Sequence, residues 1–296
     1  MSLQISTAFI SEFSDKIKLL SQQKDSKLKN AVTVEDVHGE QAWIDALGKT
    51  FAQQSNGRDS ETNYVDVSHS RRRITMNDYH WTALLGKRDS KKLANDTKMQ
   101  NKYVLLATRA MLRVYDKEII DAALGTASTG KNGAGSATLP SSNQIASGST
   151  GLTLAKVLQT KEILDGNDVD PEDRYFVTSS QQMTNMLNLE KVTSANYTNL
   201  KALVEGNIDT YLGFKFIKID GERALGTPLL PKSGNDRTCF AFQKEALILG
   251  INQDIDVRIT EMPDRQYATQ VFCDSSIGAV RGEEAGVVSI VCTETT

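Results

Sequence analysis

The segment Thr97-Lys-Met-Gln-Asn-Lys-Tyr-Val-Leu-Leu-Ala-Thr-Arg-Ala-Met-Leu-Arg-Val-Tyr-Asp-Lys-Glu-Ile-Ile-Asp-Ala-Ala-Leu124, followed by Gly125, decides the fold. Val104, Thr108, Met111, Tyr115, Ile119 and Ala122 recur at helical spacing on one face, with Leu105 and Leu112 beside them. Lys102, Arg109, Arg113, Asp116 and Lys117 fill the opposite side. Asn95 or Asp96 stands where an N-cap belongs, and Gly125 where a left-handed C-cap residue belongs. At ~1.5 Å per residue such a helix runs about 40 Å, longer than a small domain needs. The spacing predicts a girder.

Upstream of it the chain is thin in apolar anchors. Ile5, Phe9, Phe13, Ile17 and Leu20 predict an amphipathic helix over 5–27, with nothing directly after it to cover its apolar face. Ala31-Val-Thr-Val-Glu-Asp-Val37 alternates as a strand does, until Gly39. Residues 41–63 are polar, and strand character returns at Tyr64-Val-Asp-Val67 and Arg71-Arg-Arg-Ile-Thr-Met76. We expect a long hairpin-like excursion with a solvated tip, since loops this long in compact domains are uncommon and usually functional or disordered.

Downstream, 125–151 is rich in Gly, Ser, Thr and Ala and is expected to be a flexible linker at a domain boundary. Helices are expected near 152–165, 180–189 and 200–206, strands at 174–178 and 214–219, and a loop over 221–237. Residues 246–251, 255–259, 267–273 and 286–292 read as closing strands. The class is α+β.

The 296 residues suffice for one large core or two modest ones. Lys and Arg number 34 against 37 Asp and Glu, a net charge of −3, which excludes a histone-like protein bound by bulk positive charge. Mean hydropathy is −0.36 and no apolar run approaches the ~20 residues of a membrane span. The opening Met1-Ser-Leu-Gln-Ile has no basic region before an apolar stretch, so no secretory signal is expected. Cys239, Cys273 and Cys292 are odd in number and far apart, and read as buried thiols of a protein made in a reducing compartment.

Catalytic signatures are weak. Gly125-Thr-Ala-Ser-Thr-Gly-Lys-Asn132 approaches a phosphate-binding loop, but Asn132 replaces the hydroxyl that would bind Mg²⁺, and a helix precedes the motif where a strand belongs. His38, His69 and His80 form no metal-binding pair, and no nucleophile-elbow motif occurs. Asp168, Asp170 and Asp173 lack the ligand order of a calcium loop. We expect no catalytic residues, no cofactor and no metal. The charge cluster Arg71, Arg72 and Arg73 is different. On a strand, Arg71 and Arg73 project to one side and Arg72 to the other, and adjacent guanidiniums need acidic groups or phosphates to neutralise them. Few aromatics and several carboxylates (Glu61, Asp66, Asp78) surround them, which suits an inter-subunit salt-bridge patch better than a nucleic-acid site.

Arm, polar excursion, girder helix, mixed α/β stretch and closing strands, in that order, resemble the Hong Kong 97-type major capsid protein of tailed bacteriophages. His69-Ser-Arg-Arg-Arg-Ile-Thr-Met-Asn-Asp-Tyr-His-Trp81, Asp121-Ala-Ala-Leu-Gly125 and Ile277-Gly-Ala-Val-Arg-Gly-Glu-Glu284 are similar to segments of one group of these proteins. The resemblance implies an N-terminal arm (1–30), an extended loop (31–82), a peripheral domain (83–151 and 251–296) built on a spine helix (97–124), and an axial domain (152–250). It further implies self-assembly into pentamers and hexamers forming an icosahedral head around double-stranded DNA, which is contacted non-specifically. A separate scaffolding protein, a portal and decoration proteins would be partners, with assembly in the host cytoplasm, residence in the virion and no membrane. Two other readings are an encapsulin-like compartment shell and a hydrolase with an unrecognised active site.

Overall fold

The computed structural model describes residues 22–54, 64–86, 96–188, 210–224 and 226–294. The expected N-terminal helix up to residue 21 and the helix expected at 200–206 lie outside them. Residues 22–27 are irregular, without helix.

The spine helix spans Asp96–Leu124. It buries Ala107, Met111, Tyr115 and Ile119, one residue per turn along a single stripe. Ile120, Ala123 and even Asp116 are also buried, so its last turns have little solvent side. Leu105, expected beside the apolar face, is instead exposed, and Val104 and Thr108 are only partly covered. The reason is the packing at the far end, where Tyr115, Ile119, Ile120 and Ala123 share one core with residues of both main sheets. Enclosure there, not amphipathic period alone, sets burial.

The first sheet is a long antiparallel hairpin, Leu247–Met262 with Ala268–Arg281, turning through Pro263–Arg265 and two left-handed residues, Gln266 and Tyr267. The strands expected at 246–251 and 255–259 are thus one strand, irregular between Ile251 and Asp256. Thr33–Asp36 joins one edge in parallel and Asn77–Leu85 the other edge antiparallel. At the irregularity the Tyr115 hydroxyl reaches Asp254 Oδ1 (2.8 Å) and Ser275 Oγ (3.2 Å), tying helix to hairpin.

The second sheet has seven strands among the described residues, running Gln144–Ile145, Val287–Thr293, Asp236–Gln243, Arg174–Thr178, Phe214–Lys218 and Thr210–Tyr211, with Lys232–Ser233 beside Asp236–Gln243. In Asp236–Gln243 the side chains alternate between two cores. Phe240 and Phe242 pack in the core of the spine helix, while Cys239 and Ala241 pack in a second core with Val157, Leu164, Met183 and Met186. Those four come from helices Leu154–Gly166 and Ser180–Leu187, so the strand is covered on both faces. Full burial of each such phenylalanine contributes roughly 1.5–3 kcal/mol.

Sheet membership divides the chain differently from the sequence expectation. Val287–Thr293, grouped above with the spine helix, pairs with Asp236–Gln243. Thr33–Asp36 and Asn77–Leu85, grouped above with the extended loop, belong to the long-hairpin sheet. The region 125–151 is not a bare linker, because Ala127–Thr129 and Gly135–Ala137 form a hairpin whose first strand pairs with Arg72 and Arg73. All three cysteines are free and buried. No helix among the described residues is long and apolar enough to cross a membrane.

Candidate assembly surface

Gln41–Leu47 and His69–Thr75 form an antiparallel ribbon with Gln41 opposite Thr75 and Leu47 opposite His69. Strand alternation splits it into two faces. Ala42, Ile44 and Ile74 point inward and pack with Ala127, Ile248 and Val280. Trp43, Asp45 and Leu47 take the other face, opposite Arg73, Arg71 and His69. Beyond the ribbon the chain continues through Phe51 and back through Tyr64, whose side chains are 81% and 94% exposed; Leu47 is 71% exposed. Large apolar side chains this open, close together along the chain, mark an interaction surface.

The three arginines do not act alike. Arg71 Nε and Nη2 donate to the two carboxylate oxygens of Asp45 at 2.5 and 2.8 Å, and its guanidinium lies 5.6 Å from the Trp43 ring. The bond with Arg71 holds the Asp45 carboxyl below its ordinary value. Arg73 lies over Gly133 of the neighbouring hairpin, with its Nε buried and unbonded among the described residues. Arg72 points inward and is only 8% exposed. Its Nη2 donates to Glu284 Oε2 at 2.6 Å and its Nε to the Gly282 carbonyl at 3.2 Å. The expectation that all three face a neighbouring copy is therefore corrected for Arg72. Its acid lies within the same chain, 212 residues away.

Glycine-rich Gly125–Asn132 makes no phosphate cradle; it supplies a strand of the small hairpin, turning at the left-handed Gly130 and Gly133. Gly125 itself is not left-handed. It is required because a Cβ there would meet the Asp121 carbonyl at 2.5 Å. The helix end is closed by Arg281, fully buried, whose Nη1 donates to the Ala123 and Gly125 carbonyls and whose Nη2 donates to Ala137. Burial pulls the Arg281 guanidinium below its ordinary value, against the opposing pull of Glu284. Among the described residues no three His, Cys, Asp or Glu side chains converge as metal ligands. Asp168 and Asp173 face Lys49 and Lys215 separately.

A family model described as phage capsid protein matches residues 5–294. The chain belongs to that family. Its fold is the Hong Kong 97-type capsid fold, and similar solved structures cover nearly the whole chain. The capsid of cyanophage P-SCSP1u is 16% identical with a TM-score of 0.73, covering 98% of this chain and 95% of that one. The capsid of Helicobacter pylori bacteriophage KHP30 is 11% identical with a TM-score of 0.72, covering 99% and 98%. The head of Helicobacter pylori bacteriophage KHP40 is 10% identical with a TM-score of 0.74, covering 95% of each chain. No curated protein sequence matches the chain. Family and fold together make it a phage capsid protein, a structural component of the virion shell.

Two features that position the capsid protein's outward elements were not read from sequence. Gly250 and Gly278 are paired across the long hairpin, where the ribbon root crosses it. A Cβ on Gly250 would meet Met76 Cε at 2.7 Å and Val37 Cγ2 at 3.0 Å, so the bare glycine leaves room for these side chains over the hairpin. A glycine inside each apolar strand was the available signal. The second feature is Asp116, whose carboxylate accepts from Ser26 Oγ (2.6 Å), Lys27 N (3.0 Å), Leu28 N (3.0 Å) and the Gln23 amide. It ties the emerging N-terminal segment to the spine helix. Sequence reading placed Asp116 on the polar side, and nothing local marks its partners.

Proposed function

We propose that this capsid protein assembles with copies of itself into pentamers and hexamers of an icosahedral head around double-stranded DNA. The outward ribbon face and the chain just beyond it support this reading: among the described residues Trp43, Leu47, Phe51 and Tyr64 stay exposed, and a neighbouring subunit would cover them. In this reading, residues 1–30 are the arm, and the extended loop of 31–82 is narrowed to the ribbon and its tip, 41–75. The spine helix and the long-hairpin sheet form the peripheral domain. The seven-stranded sheet, including Val287–Thr293, forms the axial domain. Arg71 and Arg73 lie on the inter-subunit side of the ribbon. Each contact is weak, and closed symmetry sums them into a stable shell. A separate scaffolding protein, a portal and decoration proteins complete the set of partners, and packaged DNA is contacted without sequence preference.

Negative-stain electron microscopy of the expressed protein, with and without co-expressed scaffold, tests this. We expect capsomers or closed shells tens of nanometres wide. A protein that stays monomeric at high concentration under every salt condition and with scaffold present would overturn it. Shells filled with a host enzyme and never carrying a portal would favour a cellular compartment.

A further inference from the structure

Glu284 sits between two guanidiniums from different parts of the fold. One of its oxygens, Oε2, takes Arg72 Nη2 from the ribbon root at 2.6 Å. The other, Oε1, is buried and accepts no hydrogen bond. Facing it at 3.8 Å is Arg281 Nε, which is also buried and also has no acceptor. A buried donor and a buried acceptor, of opposite charge, are thus left unmade within an ångström of bonding distance.

The surroundings decide which group is free to move. Three carbonyls, Ala123, Gly125 and Ala137, fix the Arg281 guanidinium against the end of the spine helix. The backbone of Glu284 is fixed too, because its carbonyl accepts from Asn143 Nδ2 at 2.8 Å and from Val287 N at 3.3 Å. The Gly282 amide donates to the Ala246 carbonyl at 2.9 Å. The Glu284 side chain is the mobile member, and the ribbon carrying Arg72 is the element that could be pulled from outside. Such a pull breaks the shorter of two ion pairs on a carboxylate that is four-fifths out of water, and leaves Arg281, already at 3.8 Å, as the cation that can take up its hydrogen bond.

We propose that Glu284 is an exchange switch. Its carboxylate holds the ribbon root down through Arg72 in this state, and passes to Arg281 Nε when the ribbon is drawn away. The transfer keeps the partly buried carboxylate hydrogen-bonded in both positions. The ribbon can then pivot about its inner apolar contacts without leaving an orphaned ion, and the spine-helix end is braced as the ribbon loosens. The switch lies inside one subunit and does not depend on how copies assemble.

The test uses unassembled full-length subunit. In a crystal or cryomicroscopy structure of Arg72→Leu, Glu284 Oε1 is expected within about 3.2 Å of Arg281 Nε. A distance unchanged from wild type, or a carboxylate turned to solvent, would overturn the switch. Hydrogen exchange supplies a second reading, with Arg72→Gln replacing Arg72→Leu if the leucine variant does not fold. Ribbon amides at 41–47 and 69–75 should exchange about tenfold faster in the single variant, with the helix end at 119–124 as protected as in wild type or more so. Adding Glu284→Gln to that variant should remove this helix-end protection. If the added substitution leaves the helix end untouched, Arg72 and Glu284 are a fixed pair with no second position. Because no shell is required, the result is independent of whether particles form.

Discussion

A Cβ on Gly278 would lie 2.2 Å from the carbonyl oxygen of Thr75, inside the van der Waals contact of two backbones. The ribbon therefore leaves the body at an angle permitted only by a missing side chain, since Thr75 is its last residue before the chain enters Asn77–Leu85. Gly278→Ala should force the root outward. We expect a loss of about 1–3 kcal/mol, as for other overpacked sites. Hydrogen exchange should speed up at 72–76, while Asp236–Gln243 in the other sheet stays protected.

Asp116 joins the emerging arm to the spine helix through side-chain and backbone donors at once. Replacing it by alanine leaves the buried Leu28 amide without its acceptor, a cost of about 1–3 kcal/mol. Limited proteolysis of Asp116→Ala should cut around Lys24, Lys27 and Lys29 much faster than in wild type, with a lowered melting temperature. Equal cutting rates would show that the apolar contacts of Leu28 and Ala31 hold the segment unaided.

Glu294, four per cent exposed near the chain end, gives a pH signature. Burial alone raises its carboxyl, but bonds from Arg237, Lys232 and Ser179 outweigh burial and bring it from 4.5 down to about 2. A depressed carboxyl stabilises the fold above its unfolded value, and the contribution disappears as pH falls towards the folded value. Glu294→Gln should therefore lower stability by about 1–3 kcal/mol at neutral pH, as expected for bonds to a charged group. The gap between wild type and variant should hold down to about pH 5 and close as pH approaches 2, in melting curves taken across that range.

Arg71 and Arg73 share the outward face of the ribbon, Arg71 paired with Asp45 and Arg73 lying against Gly133. Arg71→Glu with Arg73→Glu should keep the circular dichroism of the folded subunit, with a melting temperature lowered by the loss of the Arg71–Asp45 pair. Shell yield should collapse, and raised salt should weaken wild-type assembly in the same direction, since exposed charges are screened within ~8–10 Å. Well-formed empty shells that fail to retain DNA would instead assign these arginines to the genome.

The spine helix and the ribbon strand His69–Thr75 were legible because each buries one periodic face, whereas Gln41–Leu47 fell in a stretch read only as polar. Asp236–Gln243 was not: Cys239-Phe-Ala-Phe242 is buried on both sides and shows no alternation of polarity, and its first residues fell in an expected loop. Asn77–Leu85 was missed because only Met76 separates it from the ribbon strand, too little chain to announce a change of sheet. For the arginines, alternation placed Arg72 opposite its neighbours, as observed. That its partner is Glu284 depends on two sheets meeting, which local spacing does not encode.

The central claim is that the ribbon's outward face is completed by another copy of the chain. Hydrogen exchange measured on the subunit and on the assembled shell, over residues 41–54 and 64–75, tests it most directly. The account predicts a large gain of protection there on assembly, with little change along Asp236–Gln243. Equal protection of the ribbon in subunit and shell would contradict it.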